Sequence, residues 1–333
     1  MSDPSWLMSE VRYRAASEGC GIVELEDWSC VTVTGADRQT FLNNFCTNDI
    51  KRLEPGTNSE AFFTNVKGKI LGHGFVTCRE DKLVIICGPG QTSQLVEQLD
   101  RYVIREDVQV RDSGPEFGYL LVSGGAAARG FVAALAPSST VAQALLRPLA
   151  NAAAMFLDVP LQWIHWPMFD STFCGLFEVK LSDVPRVRQQ LVDRDAFQCN
   201  LATFNTLRIE AGTPLFGIDF NEDNFPQEVG RDREAISFTK GCYLGQETVA
   251  RIDALGHVNQ RIAGVRFNGS EIPAAGTELI HGGAVVGSVT SATFSPKLNA
   301  PLALAIVRRA HLAVGSRFES PFGACEVVAL PLP

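Results

Sequence analysis

The spacing of hydrophobic and polar residues predicts alternating strands and helices in the first third of the chain. Val31–Thr34 alternates valine with threonine, which is the period of a half-buried strand. Leu83–Cys87 is a continuous apolar run of strand length, and the stripe Leu95, Leu99 and Tyr102 behind it has helical spacing. These strand–helix–strand runs predict a sheet with helices on one face.

The pattern changes character toward the C-terminus. It predicts a helix over Thr203–Ala211 that ends at Gly212, a residue suited to the left-handed position after a helix. From His257 onward, short apolar runs separated by turns are typical of a small barrel or sandwich, so we place a domain boundary near residue 257. The alanine-rich segment 126–154 predicts short helices or a variable connection.

Charge and length limit the class of protein. The 333 residues suggest two or three domains, and a net charge of −8 argues against a protein that coats duplex DNA. Residues 257–333 carry +2 and the rest −10, so any contact with a polyanion is expected on the tail. No stretch approaches the roughly 20 apolar residues of a membrane span, and Asp3 and Glu10 count against a signal peptide. We expect a soluble, cytoplasmic protein.

The nine cysteines are odd in number, widely spaced and without a C-x-x-C pair. This spacing favours reduced thiols over a zinc cluster or a disulfide framework, so we expect no metal site. Eight of the nine are interpreted as small apolar residues, and Cys242 is the exception.

Cys242 lies in the segment Phe238–Glu247, which combines a cation, a thiol, two glycines, an amide and a carboxylate. If a helix begins after Gly245, the thiol lies just before a helix N-terminus, and Lys240 adds a positive charge nearby. Both effects would favour the thiolate. The alternative is a buried cysteine in a turn bounded by glycines.

A second candidate is Glu210, at the end of the predicted helix and just before a loop rich in Gly and Pro. A carboxylate is poorly placed at a helix C-terminus, so another group should stabilise it there. One interpretation is a ligand that offers two adjacent N–H donors. The other is an ion pair with Arg208 or another nearby arginine.

Both segments match a known family. Lys240–Glu247, KGCYLGQE, resembles the K-G-C-[YF]-x-G-Q-E signature of the YgfZ family. Arg208–Gly212 resembles the R-x-E-x-G segment that YgfZ proteins share with the glycine cleavage T protein, GcvT, an aminomethyltransferase. Phe225–Glu228 resembles the P-Q-E stretch, and Val31–Gly35 with Thr47–Asp49 also fits this superfamily.

The resemblance implies an α+β, GcvT-like fold with three lobes. Residues 1–50 and 115–256 would form a central folate-binding α/β lobe and residues 51–114 a second α/β lobe, both of them ferredoxin-like. Residues 257–333 would form a C-terminal β-barrel.

The resemblance also implies a function and a site. It implies a tetrahydrofolate-binding protein, monomeric and cytoplasmic, that supports assembly or repair of iron–sulfur enzymes, including some that modify tRNA. The implied reactive thiol is Cys242, assisted by Lys240, and Glu210 would contact the pterin. The cofactor-binding residues as a group are Arg208, Glu210, Gln246 and Glu247.

One departure separates the branches of the superfamily. T proteins carry a catalytic aspartate in the region that corresponds to Cys87–Gln94, whereas this chain has no carboxylate there before Glu97. T proteins also lack the cysteine of the signature. We therefore expect an accessory protein rather than a conventional enzyme. The alternatives are a folate-dependent aminomethyltransferase, and a tRNA- or protein-binding module that uses the basic tail.

Overall fold

A computed structural model describes residues 4–135, 147–169 and 172–333, which form three sheets with helices packed around them. The strands are β1 (Cys20–Glu24), β2 (Ser29–Thr34), β3 (Asn58–Thr64), β4 (Ile70–Cys78), β5 (Lys82–Cys87), β6 (Gln109–Asp112), β7 (Phe117–Gly124), β8 (Asn151–Phe156), β9 (Val159–His165), β10 (Phe173–Lys180), β11 (Phe197–Gln198), β12 (Gln260–Phe267), β13 (Glu278–His281), β14 (Ala284–Ser295), β15 (Ala300–Arg308), β16 (Arg317–Phe318) and β17 (Cys325–Val328). The α-helices are α1 (Pro4–Ser17), α2 (Arg38–Asn43), α3 (Thr92–Asp100), α4 (Ala126–Leu135), α5 (Val184–Val192), α6 (Leu201–Ala211), α7 (Pro226–Val229), α8 (Asp232–Ala235) and α9 (Gln246–Leu255).

The first sheet has the strand order β11-β1-β7-β10-β9-β8. Its neighbours are antiparallel except for β1 and β11, which run parallel. Helices α4 and α5 cover one face, where Val122, Val132 and Leu191 belong to one apolar cluster. The other face is turned toward the second sheet.

The second sheet is antiparallel, with the order β3-β4-β5-β2-β6. Helices α2 and α3 cover its outer face through Phe41, Leu42 and Leu95. Strand β2 belongs to this sheet because it pairs with β5 and β6. The sheet of the second lobe therefore begins at Ser29, earlier in the chain than the predicted boundary at residue 51.

The inner faces of the two sheets share a core rich in aromatic residues. Phe75 on β4 stacks on Trp166, with ring centroids 4.6 Å apart and planes 6° apart. Trp28 meets Trp166 edge-on at 5.3 Å. Offset-stacked and edge-to-face pairs of this kind add about 0.5–1.5 kcal/mol each beyond burial, so they help to hold the two lobes together.

Helix α6 begins and ends as its sequence predicts. The side chain of Asn200 accepts a hydrogen bond from the backbone N–H of Thr203 at 3.0 Å, which caps the N-terminus. Gly212 follows the last turn with φ of 72°, a left-handed conformation that glycine adopts without strain. The helix lies between the lobes and the C-terminal barrel, which it meets through Ile209, Leu302 and Leu304.

The third sheet is an antiparallel barrel with the order β13-β14-β15-β12-β17-β16. Ile280 and Glu319 exchange backbone hydrogen bonds of 2.9 and 2.8 Å, which joins its two edges. Joined edges remove the unpaired N–H and C=O groups that an open sandwich would expose. The predicted α+β fold, with two α/β lobes and a C-terminal barrel, is confirmed.

The alanine-rich segment is described only at its ends, where α4 and β8 lie; residues 136–146 are outside the described residues. Within the described residues, no helix combines the length and the apolar character needed to cross a membrane.

Candidate functional site

Lys240 anchors the signature loop, residues 238–247, to the second lobe. Its ammonium group donates hydrogen bonds to the backbone carbonyl oxygens of Asn43, Cys46 and Asn48 at 2.7, 2.7 and 2.6 Å. Burial lowers the pKa of Lys240, while the nearby Cys46 and Asp49 act in the opposite direction. The ammonium group therefore uses its three N–H donors on backbone carbonyls inside the fold. The sequence suggested that Lys240 points toward the Cys242 thiol, and in the structure it does not.

The second half of the loop is held by its backbone. Leu244 N–H donates to the carbonyl oxygen of Asn44 at 2.8 Å, and the Thr64 hydroxyl donates to the Leu244 carbonyl at 2.6 Å. Gly245 has φ of 84°, and a Cβ there would lie 2.4 Å from the carbonyl oxygen of Asn65. Glycine is therefore required at this position, and the loop has a fixed conformation on the lobe.

Cys242 lies at the exposed part of this fixed loop, as does Gly241. All nine cysteines are among the described residues; seven are buried, Cys20 is half-buried, and Cys242 alone is exposed. The predicted alternative of a buried turn cysteine is wrong. Helix α9 begins at Gln246, so the thiol precedes a helix N-terminus as predicted.

Gln246 and Glu247 form the first turn of α9. Gln246 is half-buried and Glu247 exposed, and no described residue hydrogen-bonds to either side chain. A carboxylate in the first turn is favoured by the helix dipole, which accounts for Glu247 without a ligand. The predicted contacts of both residues with a cofactor stay predictions.

Glu210 is buried between α6, α1 and the barrel, and the chain itself supplies its donors. Tyr13 Oη–H donates to Glu210 Oε2 at 2.6 Å, and Ser295 Oγ–H donates to Oε1 at 2.5 Å. Burial and the Glu210 carboxylate raise the pKa of Tyr13, so the phenol keeps its proton. These donors stabilise a carboxylate at the helix C-terminus, the role that the sequence assigned to a ligand.

A cleft of about 840 Å³ opens beside this carboxylate. Tyr13 and Lys297 line it together with residues of α6 and β14, and Lys297 N–H also approaches Glu210 Oε1 at 3.4 Å. A cleft of this size is within the range of small-molecule sites. The predicted role of Glu210 in binding a pterin stays a prediction.

Arg208 lies on another side of α6 and is almost fully buried, at 1% exposure. Its Nη1 donates to Asp219 Oδ2 at 2.7 Å, and Thr290 and Ser291 donate to the other oxygen of that carboxylate. Residues two apart on a helix are about 200° apart around its axis, so Arg208 does not meet Glu210. The alternative of an ion pair between them is wrong, and the burial of Arg208 argues against a direct ligand contact.

A first buried charged network lies between the two sheets and was not found from the sequence. Arg79 Nη2 lies 2.8 Å from Glu178 Oε1, and Tyr119 Oη–H donates to Glu178 Oε2 at 3.1 Å. Arg79 Nε and Nη2 and the hydroxyl of Thr77 are buried without a hydrogen-bond partner among the described residues. Seven further buried side-chain atoms of the described residues also lack one, so these three do not by themselves mark a ligand site.

A second network lies toward the other end of β4, around His73. Arg231 donates to both oxygens of Glu60, at 2.9 and 2.6 Å, and His73 Nε2 lies 2.8 Å from Oε1. Burial alone would raise the pKa of Glu60, but Arg231 and then His73 outweigh it and lower the pKa to about 2. The carboxylate is therefore ionised and fully paired.

The segment without the T-protein aspartate lies next to this network. Gln91 is buried there; its Oε1 accepts from His73 N–H at 2.8 Å and its Nε2 donates to the Gly88 carbonyl at 3.4 Å. Together with His73 and Glu60, it lines a small chamber under Trp28. The Gln91 side chain is neutral, and both its amide oxygen and its amide nitrogen are hydrogen-bonded. It therefore cannot accept a proton as a free carboxylate would.

One sequence signal could have revealed both networks. His73 and Thr77 interrupt the otherwise apolar β4 at alternate positions, and alternate residues of a strand face the same way. Phe75 lies between them on the face toward the first sheet, in the core shared by the two lobes. Polar residues on the inner face of a buried strand indicate a site, but their partners come from distant segments.

This geometry can be compared with known proteins. The chain matches the GCVT N-terminal domain over residues 5–164 and the glycine cleavage T-protein C-terminal barrel domain over residues 260–332. Its structure is similar to the glycine cleavage system aminomethyltransferase T of Bartonella henselae, with a TM-score of 0.85. The likeness covers 97% of this chain and 89% of that one at 18% identity, so it defines the fold class as GcvT-like.

Two curated relatives match at similar identity. An aminomethyltransferase of Streptomyces avermitilis is 27% identical over 95% of this chain and 87% of that protein. The tRNA-modifying protein YgfZ of Yersinia pestis is 27% identical over 78% of this chain and 74% of that protein. The chain carries both domains of the T protein and its fold, so it belongs to the GcvT-like superfamily.

Proposed function

We propose that this chain is a folate-binding accessory protein that supports iron–sulfur enzymes, including tRNA-modifying ones, as the YgfZ branch of the superfamily would. One observation carries the proposal: the single exposed thiol, Cys242, lies on a loop whose neighbouring residues are fixed to the lobe. An exposed thiol on a rigid support can meet a macromolecular partner that an enclosed site would exclude. Cytoplasmic location and a monomeric state stay predictions.

The folate site is proposed to lie between the two sheets. Glu178 would accept from N–H groups of a pterin, and the unpartnered Arg79 Nε and Thr77 hydroxyl would gain the partner that they lack. Glu210 is the competing carboxylate: like Glu178, it has groups of the chain at both oxygens, and it lies beside the cleft of about 840 Å³. Bound tetrahydrofolate would supply a carrier for a one-carbon unit.

Calorimetry on the full chain tests the folate proposal. Tetrahydrofolate should bind, and Glu178→Gln should weaken it at least tenfold, because an acceptor becomes a mixed donor and acceptor. Glu210→Gln is the matched variant. A larger loss of tetrahydrofolate affinity in Glu210→Gln than in Glu178→Gln would favour Glu210 as the residue that binds the pterin, as the family resemblance implied. Absence of binding by the unmutated chain would disprove the folate proposal.

Complementation tests the role of Cys242. In a strain that lacks this protein, Cys242→Ala should fail to restore the activity of iron–sulfur enzymes, while Cys20→Ala, at a half-buried thiol, should restore it. Equal rescue by both variants would reduce Cys242 to a surface residue without a function.

The second candidate is a folate-dependent aminomethyltransferase. It is favoured by the length over which the chain matches aminomethyltransferases, 95% for the Streptomyces protein. The neutral, hydrogen-bonded Gln91 counts against it, because that region offers no free proton acceptor. Transfer of an aminomethyl group from a lipoyl carrier protein to tetrahydrofolate, measured with the purified chain, would favour this candidate.

A further inference from the structure

The loop that carries Cys242 is bordered by two other segments of the second lobe. Residues 43–52 supply the backbone carbonyl groups that hold the loop. Residues 65–69 pack against its end, where a Cβ on Gly68 would lie 3.1 Å from the carbonyl oxygen of Gly245. The signature loop and these two segments therefore form one surface, the Cys242 face.

The Cys242 face is basic although the chain as a whole is acidic. Its three segments carry five Lys+Arg and two Asp+Glu, a net charge of +3 in a chain of −8. Lys51, Arg52 and Lys67 are exposed. Lys51 and Lys67 have no ion-pair partner among the described residues, and Arg52 reaches only Asp49, at 3.7 Å. The face therefore presents positive charge that the chain itself leaves largely unneutralised.

Phe238 adds an exposed aromatic ring to this face. It is 47% exposed, and it is the only phenylalanine that is exposed among the described residues. Ser237, the residue before it, donates its N–H to the carbonyl oxygen of Thr47 at 2.9 Å, which brings the start of the loop to the segment that carries Lys51 and Arg52. Single-stranded nucleic acids bind to this combination, because their bases stack on aromatic rings while Lys and Arg neutralise their phosphates.

The exposed ring favours a single strand over other polyanions. A duplex keeps its bases stacked inside, so it offers phosphates to the cations but no free base to Phe238. An acidic polypeptide would likewise satisfy the cations and offer the ring no planar base. Unpaired bases that can stack on a protein are common in the loops and ends of RNA, which makes RNA the expected partner.

Carboxylates near the face limit the strength of such binding. Glu247 is exposed in the first turn of α9, and Glu234, just before the loop, is exposed beside Arg233. The net charge of −8 also repels a polyanion at long range. Binding should therefore depend on the few contacts at the face rather than on the charge of the whole chain.

We propose that the Cys242 face binds single-stranded RNA, with a base stacked on Phe238 and phosphates at Lys51, Arg52 and Lys67. This inference goes beyond the proposed function and does not depend on folate binding. It places the exposed thiol beside the RNA. It also moves the polyanion contact from the C-terminal tail, where the sequence predicted it, to the second lobe.

Fluorescence anisotropy of a labelled oligouridylate tests the binding on the full chain. The logarithm of the affinity should fall with the logarithm of the salt concentration with a slope of about −2, because each of three neutralised phosphates on a single strand contributes about −0.7. Phe238→Ala should weaken binding about five- to a hundredfold through the lost stacking. Leu255→Ala, at another exposed apolar side chain, is the matched control and should leave the affinity unchanged.

Charge variants locate the contact. Lys51→Gln and Lys67→Gln should each weaken binding and make the salt slope less steep by about 0.7. Arg308→Gln and Arg309→Gln, at exposed arginines of the barrel, should change neither quantity. Weaker binding in the barrel variants, with no loss in the lysine variants, would place the contact on the tail and overturn the inference.

A measurement on the unmutated chain tests the position of the thiol. Cys242 is the one exposed cysteine of the described residues, so its alkylation by iodoacetamide can be followed alone. Saturating oligouridylate should slow that alkylation. An unchanged rate with RNA bound would show that the RNA lies elsewhere and would overturn the inference.

Other polyanions separate RNA from the competing partners. Oligodeoxyuridylate of the same length should bind no more tightly than oligouridylate, and poly-L-glutamate should bind more weakly than either. Tighter binding of poly-L-glutamate would assign the face to an acidic protein, and tighter binding of the deoxy strand would assign it to DNA. Either result, or no binding of oligouridylate at low salt, would overturn the inference, while folate calorimetry and rescue through Cys242 test the proposed function separately.

Discussion

The signature loop and the space between the two sheets use polar residues in opposite ways. In the loop, Lys240 is satisfied by backbone carbonyl groups of the second lobe, and Cys242 is exposed with no hydrogen-bond partner among the residues that the structure describes. Between the sheets, Glu178 and Glu60 are buried against arginines from distant segments of the chain. The loop is one contiguous segment, 238–247, and its residues stand out in the sequence. The interior networks join residues that are far apart in the chain, such as Glu60 and Arg231, so no sequence motif reveals them.

The difference teaches that a dense motif is not a set of equal site residues. Lys240 and Gly245 hold the motif in place, whereas Cys242 is exposed to solvent together with Gly241 and Glu247. The interior networks instead carry buried charge that stays paired at a cost in desolvation, which marks them as candidates for function.

The largest effect is expected from Arg231→Met in the interior. The substitution leaves the Glu60 carboxylate buried with only His73, so the free energy of unfolding should fall by about 3–5 kcal/mol. Urea unfolding measures it. Arg101→Met, in an exposed pair with Glu97, should change little and is the control. Equal effects of the two substitutions would remove the distinction between interior and surface pairs.

Acid should reveal the same network. The ion pair with Arg231 and the bond from His73 outweigh burial and lower the pKa of Glu60 from 4.5 to about 2. A depressed carboxyl pKa stabilises the fold fully above the unfolded value and loses that contribution as pH falls through the folded one. Between about pH 4.5 and 2 the chain should therefore lose about 3 kcal/mol through Glu60. Unfolding of Glu60→Gln across that window should show a correspondingly weaker dependence on pH.

Two glycines of the signature loop test whether the conformation of the loop is fixed. Gly245→Ala should lower the free energy of unfolding by about 2–3 kcal/mol, because its positive φ and the carbonyl oxygen of Asn65 leave no room for a Cβ. Gly241→Ala meets nothing within 4 Å and should be nearly neutral. Thermal unfolding of both variants checks this, and a neutral Gly245→Ala would show that the loop is not held as described.

The smallest effect is expected at Cys242. Lys240→Met leaves three carbonyl oxygens without their donor and should cost about 1.5–2 kcal/mol. Cys242→Ala removes an exposed thiol and should stay within about 0.5 kcal/mol. Chemical unfolding of the pair separates the anchoring residue from the exposed one; a destabilised Cys242→Ala would give that cysteine a structural role.

Local patterns were enough for much of the fold. The alternation over β2, the apolar run of β5, the cap at Gly212 and the short strands of the tail all correspond to the structure, because each depends on neighbours within a few residues. The pairing of β2 was harder to predict, since the strand reads the same in either sheet. Only its partners β5 and β6 place it in the second lobe.

By itself, the sequence indicated the strands and helices of the first third, the helix start after Gly245 and, through its family resemblance, the lobed α+β fold; it also singled out Cys242 among nine cysteines as a candidate. The tertiary structure decided where the charged groups go: Lys240 into a ring of carbonyls, Glu210 against Tyr13, and Glu60 against Arg231 and His73. The physical reason is that backbone preferences are local, whereas a buried charge must find its partner anywhere in the chain. Glu60 and Arg231 are 171 residues apart, so local sequence spacing does not predict that they pair.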